Sequence, residues 1–294
     1  MRSIGTLGAA LAGVLGFASF AHAGFITDTL GAAGPANFAI LALSGANDIA
    51  LNGPGQTFGN VGVSSGTLSL NGSAGPEVNG NVLLAPGADI SIGNPPQVTG
   101  SVLTNQNLSQ ANTDALNASS TFAALAPTTS VPGGQVNGTT TINGVAGVNV
   151  VHISSLNLGN GQTLTLNGPA GSQFVIDDSG NFVLNSGRIN LTGGLTVTDV
   201  VFDITASGNA ISSSGGLNNE SILNGILLAP NSGIAFAPGL INGEAIAGGS
   251  TIHFVSGASV NDTASPTPVP EPTTISLLLA GLFALGFGAR LGKR

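Results

Sequence analysis

Few side chains in this sequence are equipped for chemistry. Between Gly24 and Pro270 lie two histidines, His152 and His253, and a single base, Arg188. The best carboxylate candidates are Asp177 and Asp178, with Asp199 and Asp203 downstream. Paired carboxylates are the machinery of glycoside cleavage. Adjacent residues on a strand point to opposite faces, so Asp177 and Asp178 cannot act as a pair there. One arginine leaves a polysaccharide lyase without cationic groups for an acidic sugar. No His-Glu-x-x-His helix is present. The histidines sit in Val150-Val-His-Ile153 and Thr251-Ile-His-Phe254 and read as outward positions of strands. The expectation is a chain with no catalytic residues and no enzyme activity. The other spacing signal is threonine. Thr139-Thr-Thr141, Thr163-x-Thr165 and Thr196-x-Thr198 each place two hydroxyls on one face of a strand. Thr139, Thr141, Thr163, Thr165, Thr196 and Thr198 are therefore candidates for a hydroxyl-bearing surface.

Composition removes several function classes. Twelve of the 13 acidic residues, but only Arg188 of the 5 basic ones, lie between Gly24 and Pro270, which leaves that span at −11. Nucleic acid is excluded as a partner, because no basic patch can neutralise phosphates. An anionic membrane surface is unsuited for the same reason. The chain has no Cys, so disulfides, thiol nucleophiles and thiolate metal sites are absent. It has no Trp or Tyr, and all 13 aromatics are Phe. The 46 Gly would suggest disorder, but Val, Ile, Leu and Ala alternate with polar residues and can build a core.

The elements that must position these residues are short strands. Asn-Gly pairs begin at Asn52, Asn71, Asn79, Asn137, Asn143, Asn160, Asn167, Asn224 and Asn242. Each is a tight-turn signal. The density of turns suits a solenoid of short strands and corners. Self-similarity agrees. Gly59-Asn-Val61, Gly80-Asn-Val82 and Gly100-Ser-Val102 recur at steps of 21 and 20 residues. Val82-Leu-Leu-Ala-Pro86 returns as Ile226-Leu-Leu-Ala-Pro230, and Gly66-Thr-Leu-Ser-Leu-Asn-Gly72 returns as Gln162-Thr-Leu-Thr-Leu-Asn-Gly168. A step of about 20 residues is one triangular coil, and ten coils stacked at roughly 4.8 Å make a rod of about 50 Å. Asp does not recur at that step and the Gly-Gly-x-Gly-x-Asp repeat of calcium β-rolls is missing, so neither a metal site nor a cofactor is expected. One segment breaks the pattern. Ser101 to Pro132 lacks Gly, and Leu108, Ala111, Ala115, Ala118, Phe122 and Leu125 form one face of an amphipathic helix. The prediction is a mainly β domain over 24–260, a β-solenoid or β-helix with one α-helix (107–126) packed alongside. Pro127 to Gly138 reads as a loop; Ala206 to Asn209 and Ser212 to Gly216 read as turns.

Both ends of the chain carry addresses. Arg2, an apolar run from Ile4 to Phe20 and the small-x-small triplet Ala21-His22-Ala23 form a secretory signal peptide over 1–23, with cleavage after Ala23. At the other end, a Pro/Thr/Ser-rich spacer (261–270) precedes a segment (271–294). Val269-Pro270-Glu271-Pro272 is followed by an apolar run from Ile275 to Ala289 and then by Arg290, Lys293 and Arg294. The apolar run is short of the roughly 20 residues of a spanning helix, and the basic end fits a cytoplasmic stop. This tail resembles the PEP-CTERM sorting signal of Gram-negative bacteria. The resemblance implies Sec export, transient anchoring in the inner membrane, recognition by an exosortase and delivery to the cell surface or beyond.

The central domain carries a second resemblance. Phe174-Val-Ile-Asp-Asp-Ser-Gly-Asn-Phe182, Leu191-Thr-Gly-Gly194, Asp199-Val-Val-Phe202, Gly225-Ile-Leu-Leu-Ala-Pro230 and Ile241-Asn-Gly-Glu244 look like the choice-of-anchor surface domains. More loosely, they are similar to bacterial ice-binding β-helix domains, which share the helix-on-solenoid layout. PEP-CTERM proteins are linked to exopolysaccharide production. The main functional expectation is therefore a surface or extracellular matrix protein, structural or adhesive, with extracellular polysaccharide as partner. The alternative is ice binding through a flat face holding the six threonines. A polysaccharide-active enzyme comes third. Open coil ends are sheet edges that must be capped or paired, so homotypic assembly is also expected.

Overall fold

In a computed structural model the chain is described over residues 24–72, 77–93, 97–215 and 220–262. Ala21, Ala23, Val269, Pro270, Glu271, Pro272, Arg290, Lys293 and Arg294 lie outside the described residues. Among the described residues no helix is long and apolar enough to cross a membrane.

Short strands with alternating burial close into a three-sided solenoid with all ladders parallel. Corners replace hairpins, so the Asn-Gly signals mark the bends of coils. Their side chains stack from coil to coil. Asn60 Oδ1 accepts from the Asn81 N–H at 3.0 Å, and Asn81 Oδ1 accepts from the Ser101 N–H at 2.9 Å. Asn167 and Asn242 amides donate to Asn143 and Asn224 at 2.9 and 2.8 Å. Such contacts satisfy corner groups that the ladders leave unpaired.

The winding is discontinuous. One sheet of nine strands begins at one end of the stack with Gly147–Ile153 and rises through Ser172–Asp178, Val200–Ile204, Ile226–Ala229 and Ala245–Ala247. It then passes to Ile40–Ala42, Val61–Val63, Val82–Leu84 and Val102–Leu103. The chain therefore enters mid-stack, climbs to one end, descends outside and winds up from the other end to meet its own first coil. The descent uses the predicted helix, observed as α2, Ser109–Ala123. Its 15 residues span about 22 Å of the roughly 40 Å stack. The expected ten continuous coils are thus nine rungs with a seam, Ala245–Ala247 on Ile40–Ala42. Coil length also departs from 20 residues, because the partners Val175↔Val201 and Val201↔Ile226 lie 26 and 25 residues apart.

Two apolar layers hold this together. Inside the solenoid, Phe174, Phe182, Phe202, Phe236 and Phe254 are buried, with Phe182 and Phe202 edge-on at 5.5 Å. Outside, Val150, Val175, Val201 and Ile226 form one outward file of the nine-stranded sheet, and Leu228, Ile246 and Leu41 belong to the next. Ala111, Ala115, Ala118 and Phe122 of α2 cover them, together with Ile26 and Leu30 of a short helix, α1, Phe25–Leu30. Small alanines let α2 approach the strands closely. We call this the covered sheet.

Two readings change. The segment 127–138 is no free loop. Thr129 and Val136 bridge to Val151 and Leu156, and Val131 and Val136 plug the core, so the segment caps one end of the stack. Gly208–Ser214 is a strand, although its serines read as turn formers. Ile211 faces the core between them, which is the burial that wins. The opposite end of the stack has exposed Ile92, Val102 and Leu103.

Candidate functional site

The candidate catalytic groups do not converge on an open cleft. His152, Asp177 and Asp203 share one outward file of the covered sheet. His152 Nε2 lies 3.7 Å from Asp177 Oδ2, and the Thr205 hydroxyl donates to Asp177 at 3.4 Å. Asp203 is fully buried. Burial pushes its carboxyl up to about 7 against the opposing effect of the Ser119 hydroxyl on α2. Burial also raises Asp177, with His152 opposing. Asp178 faces the other way, as the alternation requires, and burial raises it to about 6 while it accepts the Gly180 N–H at 3.0 Å. Asp199 closes a capping box with Thr196 instead of joining Asp203. Glu77 is raised to about 7 and Glu244 well above its ordinary value, both chiefly by burial. These acids are elements of the packing. Among the described residues no group of three or more His, Asp or Glu side chains is arranged to hold a metal.

The threonine candidates divide. Thr141 and Thr165 are register partners on the sheet that runs Thr140–Asn143, Thr163–Asn167, Arg188–Thr192, Ser221–Asn224, Gly239–Asn242, Ser259–Asn261, Thr57–Phe58 and Val78–Asn79. Thr139 accepts the Thr163 N–H at 3.3 Å, so these four form one patch. The patch does not continue. From Thr163 the outward file runs through Arg188, Ile222 and Leu240 to Ser259. A guanidinium and two branched aliphatics make it uneven. Thr196 and Thr198 belong to none of the three sheets. Thr196 caps a one-turn helix, Val197–Asp199, that contains Thr198; their hydroxyls lie 3.0 Å apart and Thr196 donates to Asp199 at 2.6 Å.

The remaining sheet, called the flat sheet below for its run of mostly small outward side chains, is the last side of the solenoid. It stacks Leu156–Leu158, Phe182–Asn185, Gly208–Ser214, Ser232–Ala237, Thr251–Val255, Asp48–Asn52, Thr67–Leu70 and Asp89–Ile92. Its central outward file is continuous over eight rungs: Asn157, Val183, Ser212, Ala235, His253, Ala50, Ser69 and Ser91. Apart from Ser91 at the open end, whose neighbour Ile92 is exposed, each lies between two buried side chains, for example Leu68 and Leu70 around Ser69. The rungs repeat at about 4.8 Å. A bulge between Gly208 and Ile211 lies to one side of this file. No helix covers this sheet among the described residues. Sequence reasoning missed it by following threonine. The usable signal was an apolar–small–apolar triplet, as in Ile49-Ala-Leu51, Leu68-Ser-Leu70, Ile90-Ser-Ile92 and Ile234-Ala-Phe236.

No protein-family model matches the sequence, and no curated protein matches it. Solved structures do match. A glycosylated ice-binding protein from an Arctic yeast superposes with a TM-score of 0.52 at 20% identity, over 82% of this chain and 96% of that one. An ice-binding protein from an Antarctic biological consortium gives 0.51 at 21% identity, over 78% and 88%. The fold is that of these ice-binding β-helices. At such identities the likeness concerns architecture.

Proposed function

We propose that this protein binds ice through the flat sheet. The observation that carries the reading is the eight-rung outward file of Asn, Val, Ser, Ala and His. A crystal surface is periodic and rigid, so a ligand for it needs a repeating, rigid, shallow partner. Parallel strands in fixed register supply the repeat, and the core beneath fixes the side chains. The small residues that fill most of the file let the sheet approach closely there, and many weak contacts then sum. The Thr139–Thr165 patch lies on a different sheet and is set beside this site. The shared fold with ice-binding proteins supports the reading. No catalytic step belongs to it. Thermal hysteresis and ice recrystallisation assays test it: activity at low protein concentration supports ice binding, and growth indistinguishable from buffer removes it.

A second reading rests on the third sheet. Exposed Thr139, Thr141 and Asn190 beside Arg188 offer hydroxyl and amide groups to a polysaccharide. Binding to extracellular polysaccharide, without ice activity, would make the chain a matrix or adhesive protein. In either case we infer export by the Sec machinery, passage through the inner membrane with the tail as a temporary anchor, exosortase recognition of Val269–Pro272, and a cell-surface or extracellular destination. Mass spectrometry of protein from the envelope should give a chain starting at Gly24 and lacking the tail. Self-association, if the uncapped end is used, joins two such ends, since the other is closed by 127–138. Sedimentation showing only monomer across concentrations removes it.

A further inference from the structure

One rung of the flat file departs from the rest. Seven of its eight positions carry Asn, Val, Ser or Ala, and the fifth is His253. The His253 Nε2 lies 2.9 Å from Asp48 Oδ2. Asp48 is on the neighbouring strand, two residues before Ala50, which is the register partner of His253. The imidazole therefore leans across Ala50. The two alanines flanking His253 in the file record this. Ala235 is exposed, whereas Ala50, equally outward, is only 6% exposed. The side chains of His253 and Asp48 are themselves 33% and 62% exposed. The pair forms a raised polar bar across the sheet. On one side lie Asn157, Val183, Ser212 and Ala235, and on the other Ser69 and Ser91.

We infer that the His253–Asp48 pair limits how much of the flat sheet can seat on a crystal surface, and so sets the strength of engagement. This inference rests on the ice-binding reading. A carboxylate hydrogen-bonded to an imidazole holds water that it must shed on close contact, and shedding it is unfavourable. A raised ring also holds its neighbours away, and dispersion attraction falls steeply across even a sub-ångström gap. An exposed pair of this kind contributes little to fold stability. Its removal therefore changes the surface more than the scaffold.

The test compares the exported protein with His253→Ala, Asp48→Ser and the double variant His253→Ala/Asp48→Ser, by thermal hysteresis and by inhibition of recrystallisation. The double variant is expected to exceed the wild type several-fold. His253→Ala alone should gain less, because Asp48 keeps its charge and its water. The reverse change, Ala235→His, adds a second bar beside the first and is expected to lower activity. It keeps the test decisive should the double variant fold poorly. Melting temperature confirms that each variant is folded. A folded double variant no more active than an active wild type, or an Ala235→His protein as active as the wild type, overturns the inference and leaves ice binding standing. Absence of activity in wild type and double variant alike removes the ice reading and the inference together.

Discussion

The covered sheet and the flat sheet are built from the same kind of strand, wound in the same coils around the same core. Their inward residues are interchangeable in character: Phe202 and Leu227 on one, Phe236 and Phe254 on the other. Their outward residues are not. The covered sheet turns Val150, Val175, Val201 and Ile226 outward and needs α2 to bury them. The flat sheet turns Asn157, Ser212, Ser69 and Ser91 outward and carries no such cover among the described residues. The inward half of the alternation thus specifies the solenoid. The outward half decides whether a face becomes a packing surface or stays open.

That contrast can be broken by substitution. The largest effect is expected where α2 anchors. Phe122 is fully buried against the covered sheet and sits edge-on to Phe25 at 5.9 Å. Phe122→Ala should cost about 3–5 kcal/mol, read from chemical denaturation. Ser69→Ala, at an outward position of the flat sheet, should stay within about 0.5 kcal/mol. Equal effects would mean that the helix layer is not structural. Gly62 comes next. It is outward on the covered sheet, and a Cβ there would lie 2.7 Å from the Phe38 ring and 2.9 Å from the Leu41 side chain. Gly62→Ala should destabilise by about 1–3 kcal/mol, and a neutral result would show a looser layer.

The buried acid under α2 gives a pH signature. Asp203 in the folded state is raised to about 7, so it holds a proton that the unfolded chain releases near its ordinary value. Its favourable contribution is complete below about pH 4 and is lost as pH rises through about 7. Asp203→Asn should flatten part of the decline of urea midpoints over that window. Glu77, also raised to about 7, adds to the same slope, so the variant should retain some of it. A wild type whose stability rises with pH there would contradict this assignment. The smallest effect belongs to Thr196. Its capping box with Asp199 predicts a loss of about 1 kcal/mol for Thr196→Ala with ice activity unchanged. Loss of activity in that variant would return Thr196 to the binding surface.

Much of this architecture was legible. Leu108, Ala111, Ala115, Ala118 and Phe122 announced α2 because helical periodicity is local. The echo of Val82–Pro86 in Ile226–Pro230 is real only as to sheet: both segments lie on the covered sheet, but the register sets inward Val82 in file with Leu227, one residue beyond Ile226, which points outward. The echo of Gly66–Gly72 in Gln162–Gly168 is not equivalent: Thr67–Leu70 lies on the flat sheet and Thr163–Asn167 on the third. Strand alternation says which residues point outward but not toward which side of a triangle. That phase depends on corner lengths, which vary between coils. Threonine spacing therefore identified hydroxyls without locating a face, and the run after Gly193-Gly194 was not a strand at all. The seam was hidden for another reason. Pairing between Ala245 and Ile40 joins residues about 200 positions apart, and no local pattern reports it.

On the ice-binding proposal the flat sheet, rather than the threonine patch, meets the crystal. Matched charge insertions decide it: Ala235→Arg on the flat sheet and Thr165→Arg on the third, each checked for unchanged melting temperature and then assayed for thermal hysteresis. Ala235→Arg is expected to abolish most of the activity while Thr165→Arg retains it. Activity kept by Ala235→Arg and lost in Thr165→Arg would contradict it.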